Sequence, residues 1–398
     1  MVRGDLRRAC VAACAIVLAF TAASPAEPLA YAARAGTSLD RLLRDVVTWK
    51  LTPSISLAIV ENGKVVYAGA RGSADLEKNV PATAQTRYPI GSIGTLFLAA
   101  AAMQLVAKGK LHLDDPVGRY LPALADSTLT VRRLLSARED DVNYDVLGAD
   151  DGNYDVLGDV IERVTKAPLV TYLHDHVFAP AGMDHTWSGE PPDWAPLALG
   201  YYEWRDVFGL AAVQTDAWNR KCCSFTSTAT DVARFDSALL RGTLLRAASL
   251  RAMQQAFQSS RQAGMLMIGR QGTPSGYVAG NALFVHDRFA IVALANCAGF
   301  PAQAVLDPVL TLFYPKAVTA NPPSSGAAAV DPAIAGLLRP YLATQPHALG
   351  SVRAMTLLSS SVSEGFTEYR YFVDFSGGTK TAFLVVGPDE KADGFWLH

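Results

Sequence analysis

Charge is scarce in this chain: 18% of its 398 residues are charged, the formal net charge is -2, and no long run of either sign occurs. That removes the electrostatic footprint needed for nucleic-acid binding or polybasic attachment to a membrane surface. Also missing are a metal-ligand spacing, a glycine-rich phosphate loop and a dinucleotide fingerprint, so neither metal nor cofactor is expected. His174-Asp175-His176 is rich in ligating groups, but residues two apart on a helix point to different sides and do not share a metal. Cysteine is sparse at five residues. A long apolar run is absent too: the stretch from Ala9 to Ala23 is too short to span a bilayer comfortably.

That stretch follows Arg3, Arg7 and Arg8 and precedes the small-residue site Ser24-Pro25-Ala26, which is the pattern of a secretory signal. Ala33-Arg34-Ala35 offers a second cleavage point. Residues 1–35 are therefore set aside as signal and leader, and the protein is expected to be exported, periplasmic or extracellular, with no stable membrane span after processing. Val11-Ala12-Ala13-Cys14 resembles a lipoprotein box but lies ahead of most of the apolar core, so we read it as coincidence. Cys10 and Cys14 leave with the signal. The remaining Cys222, Cys223 and Cys297 are an odd number, so at least one thiol stays unpaired in the monomer. Adjacent Cys222 and Cys223 close only a strained bond, either can meet Cys297 if the fold allows, and three buried thiols are the third option.

Half the residues are hydrophobic, enough to bury a sizeable core. Leu39, Leu42, Leu43, Val46 and Val47 repeat at helical spacing behind Ser38 as a cap. The period then changes: Ile55, Leu57 and Ile59 alternate, Asn62-Gly63 supplies a turn, and Val65-Val66-Tyr67 returns, which predicts a β-hairpin. From Ile93 to Ala107 the chain is apolar on nearly every face, with Gly109 to stop it, as in a helix buried within a domain. Further helices are expected at Val131 to Ser136, Tyr154 to Thr165, Leu169 to Val177 and Ala229 to Leu240. Strands are expected at Ala263 to Ile268, Gly280 to His286 and Phe289 to Asn296. This order predicts an α+β domain over 36–318 whose sheet is assembled from both ends of the chain. Residues 319–331, rich in Pro, Ser, Gly and Ala, read as a linker. A small helix-plus-meander unit follows over 332–398, with a helix around Ile334 to Leu342, four strands, and Tyr369, Tyr371, Val373 and Phe375 alternating onto one face.

The chemistry centres on Tyr88-Pro-Ile-Gly-Ser-Ile-Gly-Thr95, which runs into the buried helix. A serine at a helix N-terminus has backbone N–H groups and the positive dipole end beside it to steady an oxyanion. It still needs a base to take its proton, and capping alone also accounts for a serine there. Its neighbours in sequence bear on that choice. Pro53-Ser-Ile-Ser-Leu-Ala-Ile-Val-Glu-Asn-Gly-Lys-Val-Val-Tyr67, Gly72-Ser-Ala-Asp-Leu76, the Ser92 helix and Gly109-Lys-Leu-His-Leu-Asp-Asp-Pro-Val-Gly-Arg-Tyr-Leu-Pro122 come in order. Asn153-Tyr-Asp-Val-Leu-Gly-Asp-Val-Ile-Glu-Arg-Val164, Phe178-Ala-Pro-Ala-Gly-Met183, Ser227-Thr-Ala-Thr-Asp-Val-Ala-Arg-Phe235 and Arg270-Gln-Gly-Thr-Pro-Ser-Gly-Tyr277 follow.

From about Leu39 to Tyr314 this series resembles the β-lactamase-related serine hydrolases, which include class C β-lactamases, D-Ala-D-Ala peptidases and esterases. The resemblance implies an antiparallel sheet flanked by helices with an all-helical lobe. It also implies Ser92 as nucleophile, an oxyanion hole from the N–H groups of Ser92 and Thr273, and a cleft strand carrying Arg270 and Gly272. Relatives place a Lys three residues after the serine, one turn on, to shuttle its proton; here that residue is Thr95, whose hydroxyl cannot hold a proton taken from the serine near neutral pH. Lys108 and Lys110 lie at the far end of the helix, roughly 20 Å or more away by helical rise. The expected Tyr-x-Asn falls on Ala149-Asp150-Asp151, so Asp151 stands where the asparagine would. The segment before Tyr154 is short and carries Asn-Tyr-Asp-Val-Leu-Gly twice, at 143–148 and 153–158. Tyr144 is a displaced phenolic base in one reading and filler of helix volume in the other. Arg270 replaces the usual Lys or His; it binds a carboxylate through two hydrogen bonds but exchanges no proton.

Two functional readings follow, and both remain open at this point. One is a weak hydrolase of β-lactam, D-Ala-D-Ala peptide or ester substrates that acylates Ser92. The other is an inactive relative that keeps the cleft for binding a small molecule or a peptidoglycan-derived ligand. A third gives the working role to the C-terminal meander.

Overall fold

The computed structural model describes residues 26–48, 50–125, 127–136, 153–189, 197–204, 207–212, 221–257, 259–320, 336–337, 351–363, 366–376, 378–386 and 392–397. Helix α1 spans Ala26–Thr48. It begins well ahead of Ser38, which therefore lies inside the helix and is not its cap. The preceding residues include Ala30, Ala32, Ala33 and Ala35, and alanine is the strongest helix former. Strands β1 (Ser54–Glu61) and β2 (Lys64–Asp75) form the predicted hairpin. Asn62 and Gly63 both have positive φ, 54° and 73°, which a two-residue hairpin turn of matching twist requires.

Short strands β3 (Val80–Pro81) and β4 (Tyr88–Pro89) lead to helix α2 (Gly94–Ala107). Helices α3 (Val131–Ser136) and α4 (Asn153–Thr165) build the lobe with α5 (Leu169–Leu173), whose coil continues through a π-type turn over His174–Phe178. Then come β5 (Trp187–Ser188), β6 (Tyr201–Trp204), β7 (Val207–Leu210), β8 (Phe225–Ser227), α6 (Ala229–Arg241) and α7 (Ala247–Ala256). Strands β9 (Ser260–Gln262), β10 (Met265–Gly272), β11 (Val278–Phe284), β12 (Phe289–Ala295) and β13 (Cys297–Ala298) precede α8 (Gln303–Phe313) and α9 (Pro315–Ala320).

The main sheet runs β3-β2-β1-β12-β11-β10-β9, so the two ends of the domain do meet at the β1–β12 pair. Its central strands are buried on both faces, and the pleat sorts their side chains into two cores. Ala58 and Val60 of β1 join α2 and the helical lobe, whereas Ile55, Leu57 and Ile59 pack with Leu39 and Leu43 of α1 and with Val305 and Val309 of α8. The fold is thus a mixed α+β sandwich with helices on both sides of an antiparallel sheet. A separate four-stranded meander, β14 (Val352–Ser363), β15 (Phe366–Phe375), β16 (Gly378–Val386) and β17 (Ala392–Leu397), ends the chain. Tyr371, Val373, Ala382, Leu384 and Val386 are buried along it at every second position. Of the expected linker at 319–331, Thr319 and Ala320 belong to the end of α9, because nothing before Asn321 breaks the coil; the rest, with most of the helix around Ile334, lies outside the described residues.

Among the cysteines, Cys222 and Cys223 are bonded to each other while Cys297 is a buried free thiol. The pairing of either with Cys297 that the sequence left open is not realised, and neither is a set of three free thiols.

Candidate functional site

Ser92 sits in a single 3-10 turn, Gly91–Ile93, between β4 and α2. The residues at the two cap positions are Ile90 and Ile93, and neither side chain makes a capping hydrogen bond. Both cap positions thus fall on isoleucines, and Ser92 stands between them. Several elements hold this turn in place. Strand β4 pairs with β8, and the Ile90 N–H donates to the Phe225 carbonyl at 3.0 Å. The fully buried Tyr88 hydroxyl lies 3.0 Å from Ser54 Oγ, and Ser54 in turn donates to Asn296 Oδ1 through both its backbone N–H and its hydroxyl.

On the other side the end of β10 is pressed against the turn. A methyl group added at Gly272 would stand 2.1 Å from the Ile90 oxygen and 2.9 Å from the Ser92 nitrogen. Backbone therefore touches backbone, and only glycine permits it. The structure brings Ser92, Gly272 and the neighbouring Arg270 together, with Thr273 exposed just beyond.

Thr95 is almost fully buried, and its hydroxyl donates to the Ser92 carbonyl at 2.7 Å. The Arg270 guanidinium fills the space around it. Its Nε donates to Thr95 Oγ1 at 3.2 Å and its Nη2 to the Tyr154 hydroxyl at 2.9 Å, while its central carbon lies 4.2 Å over the Phe257 ring. The Tyr154 hydroxyl in turn donates a hydrogen bond to the Leu135 carbonyl at 2.9 Å. Burial pushes the Tyr154 phenol up, more than the adjacent Arg270 charge pulls it down. It therefore stays protonated near neutral pH and serves as a donor, as its bond to Leu135 requires. One arginine thus ties β10, α2, α4 and the end of α7 together.

The family's proton shuttle has no counterpart in this group. Thr95 is committed to a backbone carbonyl, Arg270 is permanently cationic, and Tyr154 holds its proton. Lys221, four residues before β8, bonds Asp159 at 2.5 Å and also Glu162. Partial burial lowers its pKa, but the two carboxylates outweigh burial and the net shift is upward, which keeps it charged. Lys108 and Lys110 are exposed beyond the far end of α2. Asp151 and Tyr144 lie outside the described residues. Phe257, Lys221 and the role of Tyr154 as an acceptor for Arg270 were not foreseen from the sequence. The placement of Tyr154 in the matched Asn153-Tyr-Asp segment was the one available clue.

The family model described as Beta-lactamase matches residues 39–290, the region that builds both faces of the cleft. The chain belongs to the β-lactamase family. Among similar proteins is "Putative penicillin-binding protein PbpX" of Bacillus subtilis (strain 168), 29% identical over 217 residues, which are 47% of this chain and 54% of that one. "Putative D-alanyl-D-alanine carboxypeptidase" of Escherichia coli (strain K12) is 27% identical over 185 residues, 34% of this chain and 43% of that one. The chain thus spans about half the length of these curated relatives. In structure it is similar to the octameric penicillin-binding protein homologue from Pyrococcus abyssi, with a TM-score of 0.59, 16% identity, and coverage of 90% of this chain and 100% of that one. A likeness at that identity shows the shared fold. Beside the Ser92 turn, this member of the family holds Thr95 and Tyr154 in the grip of Arg270.

Proposed function

We propose that this β-lactamase-family protein uses its cleft to bind a carboxylate-bearing small molecule or peptidoglycan-derived peptide, and that acyl transfer through Ser92 has been lost. The observation that carries this reading is the Arg270 clamp on Thr95 and Tyr154, which occupies the position from which relatives would draw a base. A serine hydroxyl is a weak nucleophile until a base takes its proton, and neither Thr95 nor Arg270 can take it. The cleft nevertheless keeps a fixed cation. The two bonds use Nε and Nη2, which leaves Nη1 to meet a ligand carboxylate at the end of β10. The names of the two curated relatives, a penicillin-binding protein and a D-alanyl-D-alanine carboxypeptidase, support a ligand of β-lactam or D-Ala-D-Ala type. Export to the periplasm or beyond, supported by the N-terminal 1–35 pattern, would bring the protein to such ligands.

The test is intact-mass analysis of purified protein after incubation with a fluorophosphonate and with benzylpenicillin, alongside Ser92→Ala. No adduct above the Ser92→Ala background is expected with either reagent, while titration calorimetry with D-Ala-D-Ala detects binding in both proteins. An adduct that disappears in Ser92→Ala would establish the hydrolase reading instead.

A further inference from the structure

The face of the main sheet turned away from Ser92 contains a cavity of about 250 Å³ beneath α8. It arises from the side chains the strands present there. Gly269 stands opposite Ala282, and Gly280 is flanked by Gln271 on β10 and Ala293 on β12. Ala302, at the N-terminus of α8, closes the space above them with Leu306. Five of these positions carry a methyl group or nothing, where large apolar residues would otherwise fill the gap between a sheet and a helix.

The glycines here are not required by the backbone. Neither Gly269 nor Gly280 has a positive φ. A methyl group at Gly280 would find only the Ala293 oxygen at 3.8 Å and the Ala302 Cβ at 3.9 Å, which is ordinary contact. At Gly269 the nearest atom, at 2.9 Å, is the flexible end of Met267. Glycine in a strand interior forfeits both packing and β-propensity. Gly272, on the same strand, is fixed by backbone contact, whereas Gly280 is accounted for by the room it leaves.

From this geometry we infer that the cavity between β10–β12 and α8 is a binding site for a small apolar molecule, or for the alkyl or aryl end of a larger one. Apolar cavities of about 150 Å³ already take up benzene, so this one accommodates an indole-sized ring or a medium-length alkyl chain. Met267, Ile291 and Leu306 give it apolar walls. Gln271, which is exposed, and Gln303 also line it, and their carboxamides both donate and accept hydrogen bonds and suit a neutral polar head. The Arg270 guanidinium and the Asn281 amide, which belong to the same strands, are engaged on the opposite face by Thr95, Tyr154 and Asp236. Arg270 and Asn281 also line the cavity, but with their side chains engaged on the other face the site lies across the sheet from Ser92.

The experiment uses the full chain with indole and with octanamide as probes, read by titration calorimetry and by the shift in melting temperature. Saturable binding of at least one probe is expected in the wild type and in Ser92→Ala. Gly280→Val, which fills the void with a branched side chain, should weaken it at least tenfold. Ala302→Leu fills the same space from the helix side and should do likewise, which keeps the test valid if the strand variant fails to fold. Absence of saturable binding by either probe, or equal affinity in the filled variants, would overturn the proposal.

Discussion

Strands β10 and β11 show two different faces of one sheet. On the face toward Ser92 the residues are locked: Gly272 touches the Ile90 and Ser92 backbones, Arg270 bridges to Thr95 and Tyr154, and Asn281 donates to the fully buried Asp236 at 2.9 Å. On the opposite face Gly269 and Gly280 border empty space. Adjacent residues of the same strands thus answer to different constraints. Toward Ser92 backbone and side chains from several elements are in direct contact, and a change of one methyl group is felt across elements. Beneath α8 the chain tolerates, and by our inference uses, missing volume.

The largest effect that would sharpen this contrast is expected from Gly272→Ala. Its new methyl would overlap a carbonyl oxygen that belongs to the backbone and cannot rotate away, so β10 or the Ser92 turn must shift. Overpacking of this kind costs about 3 kcal/mol. Guanidinium-chloride unfolding measures it, and a loss below about 0.5 kcal/mol, well inside the range of neutral surface changes, would show that the two segments are not held together as tightly as the contact implies.

How much of this could be read from the sequence depends on how local the determinant is. The hairpin was legible because Asn62-Gly63 and the alternation of Ile55, Leu57 and Ile59 lie within a few residues of each other. The buried helix was legible from an unbroken apolar run, and the order of matched segments marked Ser92, Gly272 and Arg270 as neighbours. The arginine clamp was not legible. Thr95, Tyr154 and Phe257 come from three helical regions far apart in the chain, and which nitrogen of Arg270 meets which hydroxyl is decided only by packing. Helix α8 escaped for a different reason: Pro308 stands inside it, and proline argues against a helix interior. Ser38 misled in the opposite sense, because a good capping residue does not start a helix when alanines ahead of it propagate the coil.

A middle-sized effect tests the electrostatics of the locked face. Asp236 is completely buried, and burial pushes its carboxyl well above the ordinary 3.8, beyond what the Asn281 hydrogen bond offsets. Among the described residues Asp236 Oδ1 and Asn281 Oδ1 are both without a hydrogen-bond partner. Two oxygens lacking a donor are what a protonated acid beside an amide supplies with one hydrogen, so the neutral form fits the site. Because the folded-state pKa is raised, the native protein holds a proton that the unfolded chain releases as pH rises above about 4. Stability is therefore greatest below that value and declines as pH climbs toward the raised folded pKa. Asp236→Asn keeps the shape and cannot ionise. It is expected to abolish this part of the decline and to exceed the wild type by about 1–2 kcal/mol at the alkaline end. Parallel pH profiles for the two proteins in urea titrations would refute the assignment.

The smallest effect has the opposite sign and is the most direct check on the contrast between the two faces. Gly280→Ala adds one methyl group to the void beneath α8, where it meets neighbours at 3.8 and 3.9 Å. Burying that group contributes about 0.8 kcal/mol, and replacing glycine within a regular element restricts the unfolded chain by about 0.4–1 kcal/mol more. Gly280 is only half-buried, so the added methyl is not fully withdrawn from water and a net stabilisation of about 0.5–1 kcal/mol is expected, measured as a shift of the urea midpoint at unchanged slope. The same one-carbon change would then destabilise the protein at Gly272 and stabilise it at Gly280. If Gly280→Ala is destabilising instead, the space beneath α8 is closed in solution, and the tolerance assigned to that face disappears with it.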